Sequence, residues 1–204
     1  MTNSRGVLSL ATAVLLLVAG TSCANDDGDP TDPRSNPPAS SPSSSSPTST
    51  SPSESATAAA TATVNDYYAI RNQLRRDPTQ PLSMLKSVTI STELMTQQTL
   101  FKRERKQGLH QTGETKVVEL QVQSVNLDNS DPQAGKVPTV QIDVCFDVSG
   151  VDVLDADGKS VVTPDRPDTG WIRYSVANYQ WDSDPDGAWR IASSQDIERT
   201  PCDA

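Results

Sequence analysis

Histidine, cysteine and basic residues are all scarce in this chain of 204 residues. One histidine excludes zinc sites built from several histidines, and it excludes a two-histidine iron site within a single chain. The 17 basic residues are outnumbered by 26 acidic ones, which gives a net charge of −9. Nucleic-acid binding needs a clustered positive face, so this balance argues against a nucleic-acid partner.

A long apolar run is also lacking. The longest mostly apolar segment covers residues 6–20 and follows Arg5. A membrane-spanning helix needs about 20 apolar residues, whereas the apolar part of a secretory signal is shorter. Residues 1–22 are therefore predicted to be a signal peptide, and the alternative is a short anchor helix that stays in the membrane.

Small residues directly precede the first cysteine, in the segment Ala19-Gly20-Thr21-Ser22-Cys23. This segment resembles a bacterial lipobox, in which the cysteine receives a diacylglycerol and becomes the mature N-terminus. The resemblance implies lipidation of Cys23 and a position on the outer face of the cell membrane. Gly20 stands where lipoboxes usually have leucine, so a secreted protein without lipid is the alternative.

Residues 24–60 contain no aromatic residue and no Leu, Ile or Val, while Ser, Pro and Thr supply 22 of the 37 positions. Nothing in such a segment offsets the entropy lost on ordering. Residues 23–60 are therefore predicted to be a lipidated cysteine followed by a disordered linker, which spans roughly 35 Å as a coil. Segments of this type can carry O-linked sugar, and the sequence leaves that open.

All nine aromatic residues fall in residues 61–204, which are predicted to form one domain. Apolar residues at helical spacing predict a first helix that begins near Thr63 and ends before Pro78. A short second helix is expected after Pro81. A third is expected from about Thr92 to Gln107, where Gly108 ends it.

Alternating residues predict the strands that follow. Val118, Leu120 and Val122 are expected to share one face, with a bulge near Gln123. The clearest alternation runs from Val140 to Val148, and its polar partners Gln141, Asp143, Cys145 and Asp147 are expected on a solvated outer face. A hairpin is predicted around a turn at 155–158, with strands at Val151/Val153 and Val161/Val162, and a further turn is predicted at 184–187. The whole pattern predicts an α+β fold, with N-terminal helices packed on a strongly curved antiparallel sheet.

The order of these elements, together with the closing segment Asp186-Gly187-Ala188-Trp189-Arg190-Ile191, resembles the nuclear transport factor 2-like (cystatin-like) superfamily. Within that superfamily the chain is similar to secreted actinobacterial lipoproteins. The resemblance covers residues 64–200 and implies a cone-shaped sheet with a pocket between sheet and helices. The superfamily includes enzymes, binding proteins and assembly subunits, so the fold does not decide the function.

The two remaining cysteines, Cys145 and Cys202, are predicted to form a disulfide, because paired cysteines are typical of exported domains. Such a bridge would pin the C-terminal tail across the outer face of the sheet. The alternative is two free thiols.

The sequence predicts neither a catalytic pair nor a metal site, and no cofactor. Asp143 and Asp147 lie four positions apart on a strand, about 13 Å, which is too far for direct coupling. The acidic turn at 182–187 begins like a calcium loop, but Ser193 stands where the bidentate glutamate is required. The basic segment 102–106 is best explained as a solvated helix end. His110 has no matching acidic residue on the inward face of the strand at 140–148.

We therefore expect a cell-envelope lipoprotein with a non-catalytic binding or accessory domain. Its expected partners are the membrane, through the lipid anchor, and either an envelope protein or a small apolar ligand. The alternative is a small enzyme of the isomerase, dehydratase or cyclase type that uses His110 and a carboxylate within the cone.

Overall fold

The computed structural model describes residues 50–202. The predicted signal peptide, Cys23 and most of the predicted linker lie outside the described residues. Two α-helices precede the strands, namely α1 (Pro52–Arg76) and α2 (Ser91–Lys106). The strands are β1 (His110–Thr112), β2 (Lys116–Asn126), β3 (Thr139–Asp147), β4 (Asp152–Leu154), β5 (Thr169–Asn178) and β6 (Trp189–Asp196). Helices that pack against antiparallel sheets confirm the predicted α+β class.

Helix α1 begins at Pro52, so the predictions of a helix start near Thr63 and of a linker that reaches residue 60 were wrong. Ser51 and Glu54 form a capping box, in which each side chain accepts the backbone N–H of the other residue. Alanine has the highest helix propensity, and Ala56 and Ala60 are buried in the core. The Ser- and Thr-rich composition concealed these two core positions.

The other predicted helices are confirmed. A 3₁₀-helix spans Leu82–Ser87, and α2 lies within one residue of its predicted bounds. Gly108 follows α2 with a φ of 70°, a left-handed conformation that favours glycine. The buried face of α2 consists of Glu93, Gln97 and Phe101.

The main sheet has the strand order β2-β3-β5-β6, and every neighbouring pair is antiparallel. The bulge predicted near Gln123 is confirmed by a register shift between Val122 and Ser124. A further shift lies between Val117 and Glu119, and it changes which residues face the core. Val117 packs against the core in place of Val118, which is exposed, contrary to prediction. Leu120 packs against the core as predicted, and Val122 is exposed.

A second sheet of two strands, β1 and β4, was not predicted. The hairpin predicted around 155–158 is confirmed. Its first strand is β4, Val161 N–H donates to the Val153 carbonyl at 2.9 Å, and Gly158 adopts a φ of 78° in the turn. The strand β1 was not predicted, because three residues are too short for a pattern of alternation to reveal a strand.

The main core lies between α1 and one face of the main sheet. It contains the predicted inward residues of β3 together with apolar residues of α1, β5 and β6. The principal fully buried members are Val64, Tyr67, Val140, Ile142, Val144, Tyr174, Val176, Trp189 and Ile191. A smaller cluster of Leu74, Leu85 and Phe101 joins the C-terminal half of α1 to α2.

Candidate functional site

A buried carboxylate lies where α2 meets α1 and β6. Glu93 is only 2% exposed. Its Oε1 accepts hydrogen bonds from the Tyr67 hydroxyl and from Gln97 Nε2, the latter at 2.9 Å. Its Oε2 accepts a hydrogen bond from Ser194 Oγ at 2.7 Å. Both carboxylate oxygens therefore have hydrogen-bond donors within the protein.

Three tyrosines extend this network, namely Tyr67 and Tyr68 on α1 and Tyr174 on β5. The hydroxyls of Tyr68 and Tyr174 lie 3.1 Å apart, and the three rings meet edge to face. The guanidinium of Arg71 lies 5.1 Å from the centre of the Tyr67 ring and 5.8 Å from that of Tyr68. Burial raises the pKa of all three phenols, so they remain protonated donors at neutral pH.

The arrangement around Glu93 is that of a structural hydrogen-bond network. A general base needs a free lone pair that a substrate can approach. Here three internal donors use most of the acceptor capacity of the carboxylate, and Glu93 is buried among Tyr67 and its neighbours, so no substrate reaches the remaining lone pair. Sequence reasoning missed Glu93, although its spacing of four and eight residues from Gln97 and Phe101 places all three on one helix face.

The outer face of the main sheet carries a second ionic cluster, which corrects the prediction that Asp143 and Asp147 are solvated. Asp143 is fully buried. Arg173 donates to it twice, from Nε at 2.6 Å and from Nη2 at 2.9 Å, and Arg199 donates from Nη2. Asp147 is also buried, and it accepts the backbone N–H of Ser149.

Hydrogen bonds from Arg173 hold the pKa of Asp143 below its ordinary value, and the charges of both arginines act in the same direction. Burial acts in the opposite direction but does not prevail. The carboxylate is therefore ionised at neutral pH, and it forms ion pairs with both Arg173 and Arg199.

Arg199 belongs to the C-terminal tail, which lies over this face. Its guanidinium packs on the Trp171 ring at 4.8 Å, and Trp171 Nε1 donates to the carbonyl of Thr200 at 2.9 Å. Cys202 then forms a disulfide with Cys145, with a Cα–Cα distance of 6.4 Å. The structure thus joins the two cysteines predicted to pair, and it explains why the outer face of β3 is buried.

His110 lies on β1 and lines a small pocket of about 110 Å³. Glu104 lines the same pocket, but its Oε1 lies 3.2 Å from Arg75 Nη2 in an ion pair. Within residues 50–202, no hydrogen bond joins His110 to a carboxylate. The histidine–carboxylate pair required by the enzymatic alternative is therefore not assembled here.

The remaining acidic and basic candidates serve local structure. Asp184 Oδ1 accepts the backbone N–H of Gly187, and Asp182 Oδ1 accepts from Asn129 Nδ2. These are turn and loop contacts that need no metal. In the described part of the chain, no group of three or more His, Cys, Asp or Glu is placed to hold a metal ion. Arg103, in the basic segment, is exposed on α2.

Comparisons with known proteins add little. No protein family and no curated protein matches the chain. Among solved structures, a distant match is the crystal structure of the intermembrane space region of the chloroplast protein ARC6, with a TM-score of 0.45 and 17% identity. That match covers 68% of this chain and 93% of the other. No helix between residues 50 and 202 has the length and apolar character of a membrane span.

Proposed function

We propose that this protein is a cell-envelope lipoprotein whose folded domain has a non-catalytic binding or accessory role. Cys23 carries the lipid in this proposal, and residues 24–51 tether the domain to the membrane. A segment of that length reaches about 30 Å as a coil, enough to lift a small domain off the surface. The Cys145–Cys202 disulfide is compatible with an exported protein, since such bridges persist in oxidising compartments.

One observation carries the non-catalytic part of this proposal. Glu93 is buried between α1, α2 and β6, and internal donors bind both of its oxygens. A carboxylate used in this way stabilises the contact between α1, α2 and β6. Its burial keeps a substrate away from the lone pair that remains on Oε2.

We further propose that the main sheet curves around α1 as in the nuclear transport factor 2-like superfamily. Three register shifts support this, two between β2 and β3 and one between β5 and β6 at Ser175 and Val176. Bulges bend a strand and increase its twist, which favours a concave sheet. An experimental structure with a flat main sheet would contradict this proposal.

The lipid anchor is tested by mass spectrometry of the mature N-terminus and by fractionation of the producing cells. We expect acylated Cys23 in the membrane fraction, and we expect Cys23→Ala to move the protein to the soluble fraction. Ser22→Ala is the matched control, because it keeps a small residue before the cysteine. An unmodified N-terminus downstream of Cys23 would favour the secreted alternative.

The enzymatic alternative requires His110 to act together with a carboxylate. An isomerase, dehydratase or cyclase needs a proton acceptor and a carboxylate partner within reach of a substrate. Glu104 is the acidic residue that shares the pocket with His110, and it is paired with Arg75. This pairing favours the binding role.

A further inference from the structure

A small pocket opens where the C-terminal ends of α1 and α2 meet the two-stranded sheet. Its volume is about 110 Å³. Much of its wall is apolar and comes from Leu74, Phe101, Leu109 and Val153. An enclosed apolar cavity of about 150 Å³ binds benzene, so this smaller pocket fits a short chain, or one small ring that projects partly through its opening.

Two arginines in the wall give the pocket an unbalanced positive charge. Arg75 lies over the Phe101 ring at 5.6 Å and is paired with Glu104. Arg105 donates from Nη2 to the carbonyl of Gln80 at 2.8 Å, which orients its guanidinium. Among residues 50–202, no carboxylate lies within ion-pair distance of Arg105.

Both arginines also have an unused donor. The Nε atoms of Arg75 and Arg105 are buried, and neither has a hydrogen-bond partner within the described chain. Both atoms are shielded from solvent, so a ligand in the pocket would meet the Nη groups of these arginines instead. The nearby Asp77 carboxylate instead accepts from Thr79 and Gln80.

We propose that this pocket binds a small apolar monocarboxylate, such as an aromatic or short branched-chain acid. The ring or chain lies against Leu74, Phe101 and Val153, and the carboxylate accepts hydrogen bonds from Arg105. A guanidinium matches the planar geometry of a carboxylate and can bind both of its oxygens. This inference rests on the proposed binding role and names a ligand class for it.

The pocket is distinct from the space between α1 and the main sheet, where tyrosines fill the interior. It lies instead against β1 and β4, which form the two-stranded sheet that the sequence did not predict. The ligand class follows from its lining alone. An apolar wall of this size selects a small hydrocarbon group, and an uncompensated arginine selects an anion.

The test is calorimetric titration of the full chain carrying Cys23→Ser, which prevents acylation, with benzoate and with its uncharged analogue benzamide. We expect saturable binding of benzoate at millimolar concentration, and binding of benzamide at least about tenfold weaker, because only benzoate has a charge-assisted bond to gain. Arg105→Gln is expected to weaken benzoate binding about tenfold and to leave benzamide unaffected. Arg103→Gln, an exposed arginine on the same helix, is the matched control.

Filling the pocket provides an independent arm. Val153→Trp is expected to abolish binding of both compounds while the far-ultraviolet circular dichroism stays unchanged. Equal affinity for benzoate and benzamide, an equal effect of the two arginine variants, or no saturable binding of benzoate would each overturn the inference. Because the chain used is not acylated, such a failure leaves the lipid anchor standing, and mass spectrometry tests that anchor separately.

Discussion

Replacing Asp143 with asparagine is the sharpest test of the ionic cluster on the outer sheet face. Asp143 is fully buried and receives two hydrogen bonds from Arg173 and one from Arg199. The asparagine amide keeps one acceptor oxygen but turns an N–H group toward arginine donors. Both arginines are left without their counter-charge.

The expected loss follows from the burial of the partners. Breaking a fully buried ion pair costs about 3–5 kcal/mol. The side chains of Arg173 and Arg199 are 37% and 30% exposed, so water regains part of their solvation in the variant. We therefore expect Asp143→Asn to lower the free energy of unfolding by about 2–3 kcal/mol.

Urea unfolding of the full chain, followed by tryptophan fluorescence, measures this loss. Asp147→Asn is the control, because Asp147 lies on the same face of β3 but accepts a backbone N–H and binds no arginine. We expect its effect to be much smaller. Equal losses for the two variants, or a loss below about 1 kcal/mol for Asp143→Asn, would refute the claim that the ion pairs of Asp143 stabilise the fold.

The same cluster predicts a pH dependence. The folded state lowers the pKa of Asp143, so its stabilising contribution is complete above the unfolded pKa of about 3.9. The contribution is lost as pH falls through the lower folded value. The stability difference between the native chain and Asp143→Asn is therefore expected to be constant near neutral pH and to shrink below about pH 4.

Two further predictions concern the buried carboxylate and the disulfide. Glu93→Ala leaves three buried donors without an acceptor, so we expect it to lower the free energy of unfolding by about 3–4 kcal/mol, and Glu93→Gln by about half of that. Thermal denaturation measures both losses, and equal melting temperatures for the two variants would contradict the network. Reducing the Cys145–Cys202 bridge, which closes a separation of 57 residues, is expected to cost about 4 kcal/mol from loop-closure entropy, measured by urea unfolding with and without reductant. Unchanged stability after verified reduction would show that the bridge does not restrain the unfolded chain.

Secondary structure was predictable where a pattern extends over many residues. The alternation from Val140 to Asp147 identified β3, and helical spacing together with Gly108 bounded α2. The start of α1 was not predictable in the same way, because Ala56 and Ala60 stand among serines and threonines. Small residues are neutral in hydropathy, so only the packing of α1 on the sheet reveals that they are core positions.

The candidate sites likewise divide into features that the sequence predicted and features that only the folded structure reveals. The Cys145–Cys202 pairing followed from the number of cysteines left after Cys23. The burial of Asp143 did not follow from the sequence, because alternation says which face a residue occupies but not what covers that face. The tail that covers it comes from more than fifty positions further along the chain. Glu93 was hidden for a related reason, since its partners Tyr67 and Ser194 come from α1 and β6.

By itself the sequence determined the α+β class, the most regular helix and strands, the cysteine pairing and the expectation of an exported, tethered protein. These depend on composition and on local periodicity, which short-range interactions encode. Only the tertiary structure decided where α1 begins, which carboxylates are buried, and that His110 shares a pocket with two arginines. Those features arise from contacts between residues distant in the chain, and burial and pairing depend on the folded environment of a residue rather than on its identity.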